Sequence, residues 1–359
     1  MGPVNGWSSA VIHFFVNDST DLVGLEDWDP DADPTRFASG VGHNLLELHR
    51  RLLERGRLTS VGPVVPPGTT LVVVMPWPIL HTGRRVQLRS AWRLRRHRVV
   101  MVRSDLPTTC EQPVRADVVV APNRSFIDTF GAQYMRFLPP LPQRGLMVRD
   151  ASRGDRISVA TLKANPENIP TRLVDGEIID RLGALGVTLD IDSPENSSGS
   201  DQSWQDFRSV DVAVCVRRRD SETISKPATK LLNAWAAGVI PIASREPAYV
   251  EIGSDRHDVL FFDELDEVPE LIRLVQDDEV LREQLWRGVA ESAAAQPTLD
   301  QLVDDWWSLF LENQAPPSRW RGFRSLSFFV GRVAGRSTLG RAGRATKAPD
   351  GRQSPVRSV

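Results

Sequence analysis

Short apolar runs separated by longer stretches of helical period recur along the chain. Residues 11–16 (VIHFFV), 70–75 (TLVVVM), 99–102 (VVMV) and 117–121 (DVVVA) form a first set; 157–162 (ISVATL), 187–191 (VTLDI), 211–216 (DVAVCV), 239–243 (VIPIA) and 259–262 (VLFF) form a second. Runs this brief and this continuously apolar are those of strands buried on both faces, which parallel sheets require. Helices are predicted at 45–56 (LLELHRRLLERG) and over 173–185, 266–276, 278–295 and 298–312, the last three completing the second half of the chain. Strands alternating with helices predict an α/β fold with two doubly wound parallel sheets, each with its site at the strand C-terminal ends. The proline-rich segment Leu138-Pro139-Pro140-Leu141-Pro142 closes the first set. The predicted organisation is a domain over 1–150, a second over 151–315 and a tail over 316–359.

One stretch, residues 224–253, combines this pattern with candidate chemistry. Lys226 and Lys230 stand four apart at the start of a helix that runs through Leu231, Leu232, Ala234, Trp235 and Ala237 to Gly238. A strand follows, and a second helix begins at Arg245-Glu246-Pro247, with proline where a first turn tolerates it. Fixed cations beside the free N–H groups of a helix start make an anion seat. Arg217, Arg218 and Arg219, at the predicted end of the 211–216 strand, add charge nearby. A surface turn is the alternative reading of those arginines.

The run Asn233-Ala234-Trp235-Ala236-Ala237-Gly238-Val239-Ile240-Pro241-Ile242-Ala243-Ser244, followed by Glu251-Ile252-Gly253, resembles the donor-binding segment of GT-B glycosyltransferases. That resemblance implies two Rossmann-like domains facing across a cleft, with a nucleotide-sugar donor on the C-terminal domain and a glycan or lipid-linked acceptor on the N-terminal one. It implies Lys226 and Lys230 as the cations facing the departing diphosphate. Donor contacts implied are Gly42, Arg217, Arg218, Thr229, Asn233, Glu246 and Glu251, with Asn233 on the ribose. Asp105 and His43 are the acceptor-side base candidates. The sequence departs from the family at two places: Ser225 and Asn233 occupy positions where many retaining members carry glutamates. Stereochemistry is therefore left unassigned. A glycosyltransferase of cell-surface polysaccharide or glycoconjugate synthesis is the leading reading. A catalytically inactive GT-B scaffold at a membrane, or a GT-B sugar-nucleotide epimerase, are the alternatives.

Composition narrows the partners. The 359 residues carry a formal charge of −2, which argues against nucleic acid as a partner of the whole chain. Two cysteines, Cys110 and Cys215, and six histidines show no metal-ligand spacing, so neither metal nor cofactor is expected. The acidic run Asp21, Glu26, Asp27, Asp29, Asp31 and Asp33 lacks regular ligand spacing and reads as a solvated loop. Gly40-Val41-Gly42-His43 reads either as a tight helix entry or as a glycine loop approaching a ligand.

Two segments are basic. Residues 84–98 (RRVQLRSAWRLRRHR) hold seven arginines, and 319–359 hold ten Lys or Arg against Asp350 alone. Each reads as a solvated face or disordered tail, or as an interfacial helix on an anionic membrane through 84–98 and 319–336; cradling of an anionic acceptor by 84–98 and docking of a partner by the tail are the further alternatives. No secretory signal and no apolar window of membrane-spanning length is present, so the expectation is a cytoplasmic protein, with peripheral contact at the inner membrane face as an extension. Trp306 and Trp307 recur at helical spacing with Leu302 and Phe310 and read as packing rather than sugar platforms.

Overall fold

The computed structural model describes residues 11–17, 22–33, 41–75, 94, 97–103, 116–131, 133–174, 176–192, 204–218 and 223–314. Asp105, Cys110, most of the 84–98 segment and the basic tail lie outside the described residues.

The first sheet contains β1 (Val11–Phe15), β2 (Thr59–Gly62), β3 (Thr69–Val74), β4 (Arg98–Val102), β5 (Val118–Ala121) and β6 (Met135–Phe137), in the order β2-β1-β3-β4-β5-β6 and parallel throughout. Ile12, Phe14, Val73, Val100 and Val120 face one core, while Phe15, Val72, Val74, Met101 and Val119 face another. That period-two division of continuous apolar runs is what two covered faces demand. Helix α1 (Glu47–Glu54) covers the first face, entered through a π-helical turn over Gly42–Leu46, and α2 (Arg124–Phe130) packs Phe126 into the second. At the sheet edge, His13 Nε2 donates to the Gly62 carbonyl at 2.9 Å, so its Nδ1 accepts from the Ser60 hydroxyl at 2.9 Å. Burial lowers the His13 pKa and keeps this link neutral.

The second sheet contains β7 (Val159–Lys163), β8 (Thr188–Asp192), β9 (Val212–Cys215), β10 (Ile240–Ser244) and β11 (Leu260–Phe262), in the order β11-β10-β9-β7-β8, again parallel. Helices α3 (Glu177–Ala184), α6 (Val268–Asp277) and part of α7 (Glu279–Ala294) bury Ile178, Leu182, Ile272, Val275 and Leu285 on one face. Helices α4 (Thr229–Ala236) and α5 (Pro247–Ile252) bury Leu231, Trp235 and Tyr249 on the other. Gly238, at φ 69°, takes the left-handed turn that ends α4 and returns the chain into β10.

The last helix, α8 (Leu299–Glu312), corrects one expectation. The sequence reading counted it among the helices completing the second domain, yet Leu302, Val303, Trp306, Leu309 and Phe310 lie in the core of the first sheet. Phe310 meets Phe14 edge to face at 6.1 Å, and Arg55 pairs with Asp300 and with Asp304. Trp306 is packing, as expected, and Trp307 lies under the Arg57 guanidinium at 4.8 Å. An amphipathic stripe shows that one face is buried; it does not say against what.

Helix α7 approaches the loop before β11 so closely that one position admits no side chain. A Cβ on Gly288 would lie 2.0 Å from the His257 carbonyl oxygen. Gly288→Ala is expected to cost about 1–3 kcal/mol, by forcing backbone apart in a packed layer. A urea titration reads this as a lower midpoint at unchanged slope.

Candidate active site

Strand β9 leaves the second sheet at Val216 and delivers Arg217 toward the start of α4. Arg217 does not stand open for a donor phosphate. Its Nη1 pairs with the Glu246 carboxylate and donates to the Tyr249 hydroxyl at 2.9 Å, and its Nη2 donates to the Pro227 carbonyl at 3.0 Å. Glu246 is 4% exposed and also accepts from Ser244 Oγ at 3.1 Å. The two residues predicted to contact the donor separately are thus partners of each other, fixing the exits of β9 and β10 and the loop before α4. The Arg218 backbone N–H donates to the Asn168 carbonyl at 3.2 Å, linking the β9 exit to the loop after β7.

Within this frame lies Lys230, the second residue of α4. Its ammonium donates to the Val216 carbonyl at 3.1 Å. Part of the residue reaches solvent, but burial around the ammonium, helped by Arg217 and Lys226 and opposed by Cys215 and Glu246, lowers its pKa to about 7. Thr229 opens α4, whose first turn has no side-chain cap, and the Lys226 N–H closes a turn onto the Thr223 carbonyl at 3.0 Å. Burial pushes the Cys215 thiol up to about 12, so it supplies no thiolate. The structure places Arg217, Lys226, Thr229, Lys230 and Glu246 around the start of α4, with Arg217 and Glu246 holding each other.

Two other predicted donor contacts are engaged elsewhere. Asn233 Nδ2 donates to Gln143 Oε1, from the segment joining the two sheets. Glu251 Oε2 accepts from the backbone N–H groups of Arg124 and Ser125, at 2.7 and 3.0 Å, in the first turn of α2. Asn233 is thus tied to the connecting segment, and Glu251 ties the second half of the molecule to the first.

On the N-terminal side, Gly42 begins the π-helical turn and His43 follows, with Nδ1 3.8 Å from Glu47 Oε2. Glu47 is fully buried, which pushes its pKa to about 7 against the pull of Arg144, whose Nε donates at 3.2 Å, and of Arg51. Arg51 also grips Asp31 through both carboxylate oxygens, at 2.9 and 2.6 Å, so part of the acidic loop is pinned to α1. Among the described residues, no group of three His, Cys, Asp or Glu is placed to hold a metal ion.

Sequence reasoning missed Asn123, Gln143 and Glu47. Asn123 is 2% exposed and caps α2, its Oδ1 accepting from the Phe126 N–H at 2.7 Å. The available signal was a cap residue ahead of a short helix that ends at Gly131, which is left-handed at φ 59°.

Solved structures with this arrangement are known. Sucrose-phosphate synthase from Thermosynechococcus elongatus matches with a TM-score of 0.55 over 84% of this chain and 98% of its own, at 11% identity. The chain has a GT-B fold. Other GT-B structures similar to it are Anabaena HepE in complex with UDP, TM-score 0.51 over 85% and 100% at 12% identity, and the catalytic domain of Arabidopsis thaliana starch synthase IV bound to ADP and acarbose, TM-score 0.50 over 86% and 99% at 10% identity. Residues 194–308 match a family model described as glycosyl transferase-like, a span containing every C-terminal site residue named above. A search of curated proteins gave no match. Among the described residues, no helix of this GT-B chain is long and apolar enough to cross a membrane.

Proposed function

We propose that the protein transfers a sugar from a nucleoside-diphosphate sugar, held at the start of α4, to an acceptor held against the N-terminal domain. The observation that carries this reading is Lys230: its ammonium stands at the start of α4, 3.1 Å from the Val216 carbonyl, where burial disfavours the charged form until an anion arrives. A diphosphate there restores the charge. When the acceptor oxygen attacks the anomeric carbon, the bond from that carbon to the β-phosphate oxygen breaks, and the diphosphate leaves with the electron pair. Cations already in place favour that state over the bound donor. The acceptor proton passes to a base, for which His43, beside Glu47, is the described candidate. No cofactor is proposed.

The similar structures hold UDP in HepE and ADP in starch synthase IV, so the base is best sought among several. Titration of the protein with UDP, GDP, ADP and dTDP, in the wild type and in Lys226→Ala/Lys230→Ala, tests the proposal. One diphosphate is expected to bind tightly and to lose its affinity in the double variant. Absence of binding to all four removes the donor site.

A second reading, a GT-B binding protein without transfer, is favoured by the engagement of Asn233 with Gln143 where the resemblance places a ribose contact. It expects the sugar nucleotide to bind without release of the diphosphate.

A further inference from the structure

The loop that carries Lys226 is built from both domains. From the C-terminal side, Arg217 holds the Pro227 carbonyl. From the N-terminal side, the Asn123 amide donates to the carbonyls of Ile224 and Lys226, at 2.8 and 3.0 Å, across more than a hundred residues of sequence. The Ile224 side chain packs against the N-terminal core that includes Phe15, Val72 and Phe126. In return, Glu251 of α5 caps α2 through the Arg124 and Ser125 N–H groups. Each domain thus supplies a side-chain partner to backbone groups of the other.

We propose that Asn123 is a positioning residue for the donor loop, so that affinity for a nucleoside diphosphate depends on a side chain of the opposite domain. Anchoring the Ile224 and Lys226 carbonyls orients the peptide that joins Ile224 to Ser225 and the one that joins Lys226 to Pro227. Pro227, with its fixed φ, passes that orientation to Ala228 and the first turn of α4, where Lys230 stands. With the domains apart, the Asn123 and Ile224 contacts are lost, while the attachment to Arg217 within the C-terminal domain remains. Loop order, domain closure and anion binding are then one linked equilibrium, and whatever draws the domains together tightens the donor site. The inference rests on the donor site proposed above.

The test uses Asn123→Ser in the full chain. Serine caps a helix as well as asparagine does, so α2 is preserved, but it has no amide NH2 and is too short to reach the two carbonyls. Glu251→Ala opens the same contact from the other side and leaves the Asn123 cap in place. The expected result for Asn123→Ser is a melting temperature lowered by about a few degrees, faster amide hydrogen exchange across residues 223–228, and affinity for the tightest-binding of UDP, GDP, ADP and dTDP weakened about tenfold. Glu251→Ala is expected to shift exchange and affinity in the same direction. Unchanged exchange in both variants overturns the clasp. Faster exchange with unchanged affinity overturns its coupling to the donor. If the wild type binds none of the four, the donor reading fails separately, and the exchange rates alone then decide the clasp.

Discussion

Lys230→Met is expected to lower kcat/KM for sugar transfer at least about a hundredfold, the scale seen when one preorganised charge facing a developing anion is removed. Methionine retains most of the stem volume, so packing between Val216 and α4 is kept while the ammonium is lost. The same substitution should leave the fold intact and alter its pH dependence. The Lys230 pKa falls from an ordinary 10.5 to about 7 on folding, so between those values the unfolded chain binds more protons than the folded one. Stability of the wild type therefore rises with pH across that window, by the linkage between proton uptake and unfolding. The variant lacks this contribution. Nucleoside diphosphate affinity in the wild type runs the other way, falling as pH rises past about 7, because binding requires the charged lysine. Steady-state kinetics and thermal unfolding at several pH values read both trends; a variant with wild-type turnover would remove Lys230 from the mechanism.

The opposite end of β9 carries the largest stability prediction. Asp211 is fully buried just before the strand and accepts from Arg153 at 2.7 Å through each oxygen, from Arg149 at 2.9 Å, and from the Ser158 and Val159 N–H groups at 2.8 and 3.0 Å. Burial alone would raise its pKa, but the bonds from Arg153, the two backbone groups and Arg149 hold it below the ordinary carboxyl range. Asp211→Ala leaves two guanidinium groups and two N–H groups without their acceptor, an expected loss of about 3–5 kcal/mol. Because the folded pKa is depressed, the wild-type contribution is complete above the ordinary carboxyl pKa and disappears as pH falls through the folded value. Equilibrium urea denaturation at neutral and acid pH should show the two proteins converging in acid. The Arg149 backbone N–H also donates to the carbonyl of Ala237, at the end of α4, at 2.9 Å.

The strands at the centre of both sheets were legible because burial on two faces leaves an uninterrupted apolar run, as in TLVVVM and DVAVCV. Strands β2 and β6 escaped for the converse reason. Thr59–Gly62 lies at a sheet edge with three of its four residues partly exposed, and Met135–Phe137 is three residues long with Arg136 exposed. The loop, helix, glycine and strand of 224–244 were readable from cap, stop and period together, and the cluster around Lys230 followed from them. The partners of Arg217, Asn233 and Glu251 were not readable. Their side-chain and capping partners Glu246, Gln143 and Arg124 lie 29 to 127 residues away in sequence, and charge at a strand end looks the same whether it awaits a ligand or already has a carboxylate.

The return of α8 to the first sheet sets what movement the two lobes retain. The polypeptide passes between them twice, once through the segment containing Gln143 and Arg149 and again between α7 and α8. A lobe hung on one strand of chain can swivel freely. One hung on two is left chiefly with rotation about the line joining the crossings. Any opening of the Asn123 and Glu251 contacts is constrained to a swing about that line.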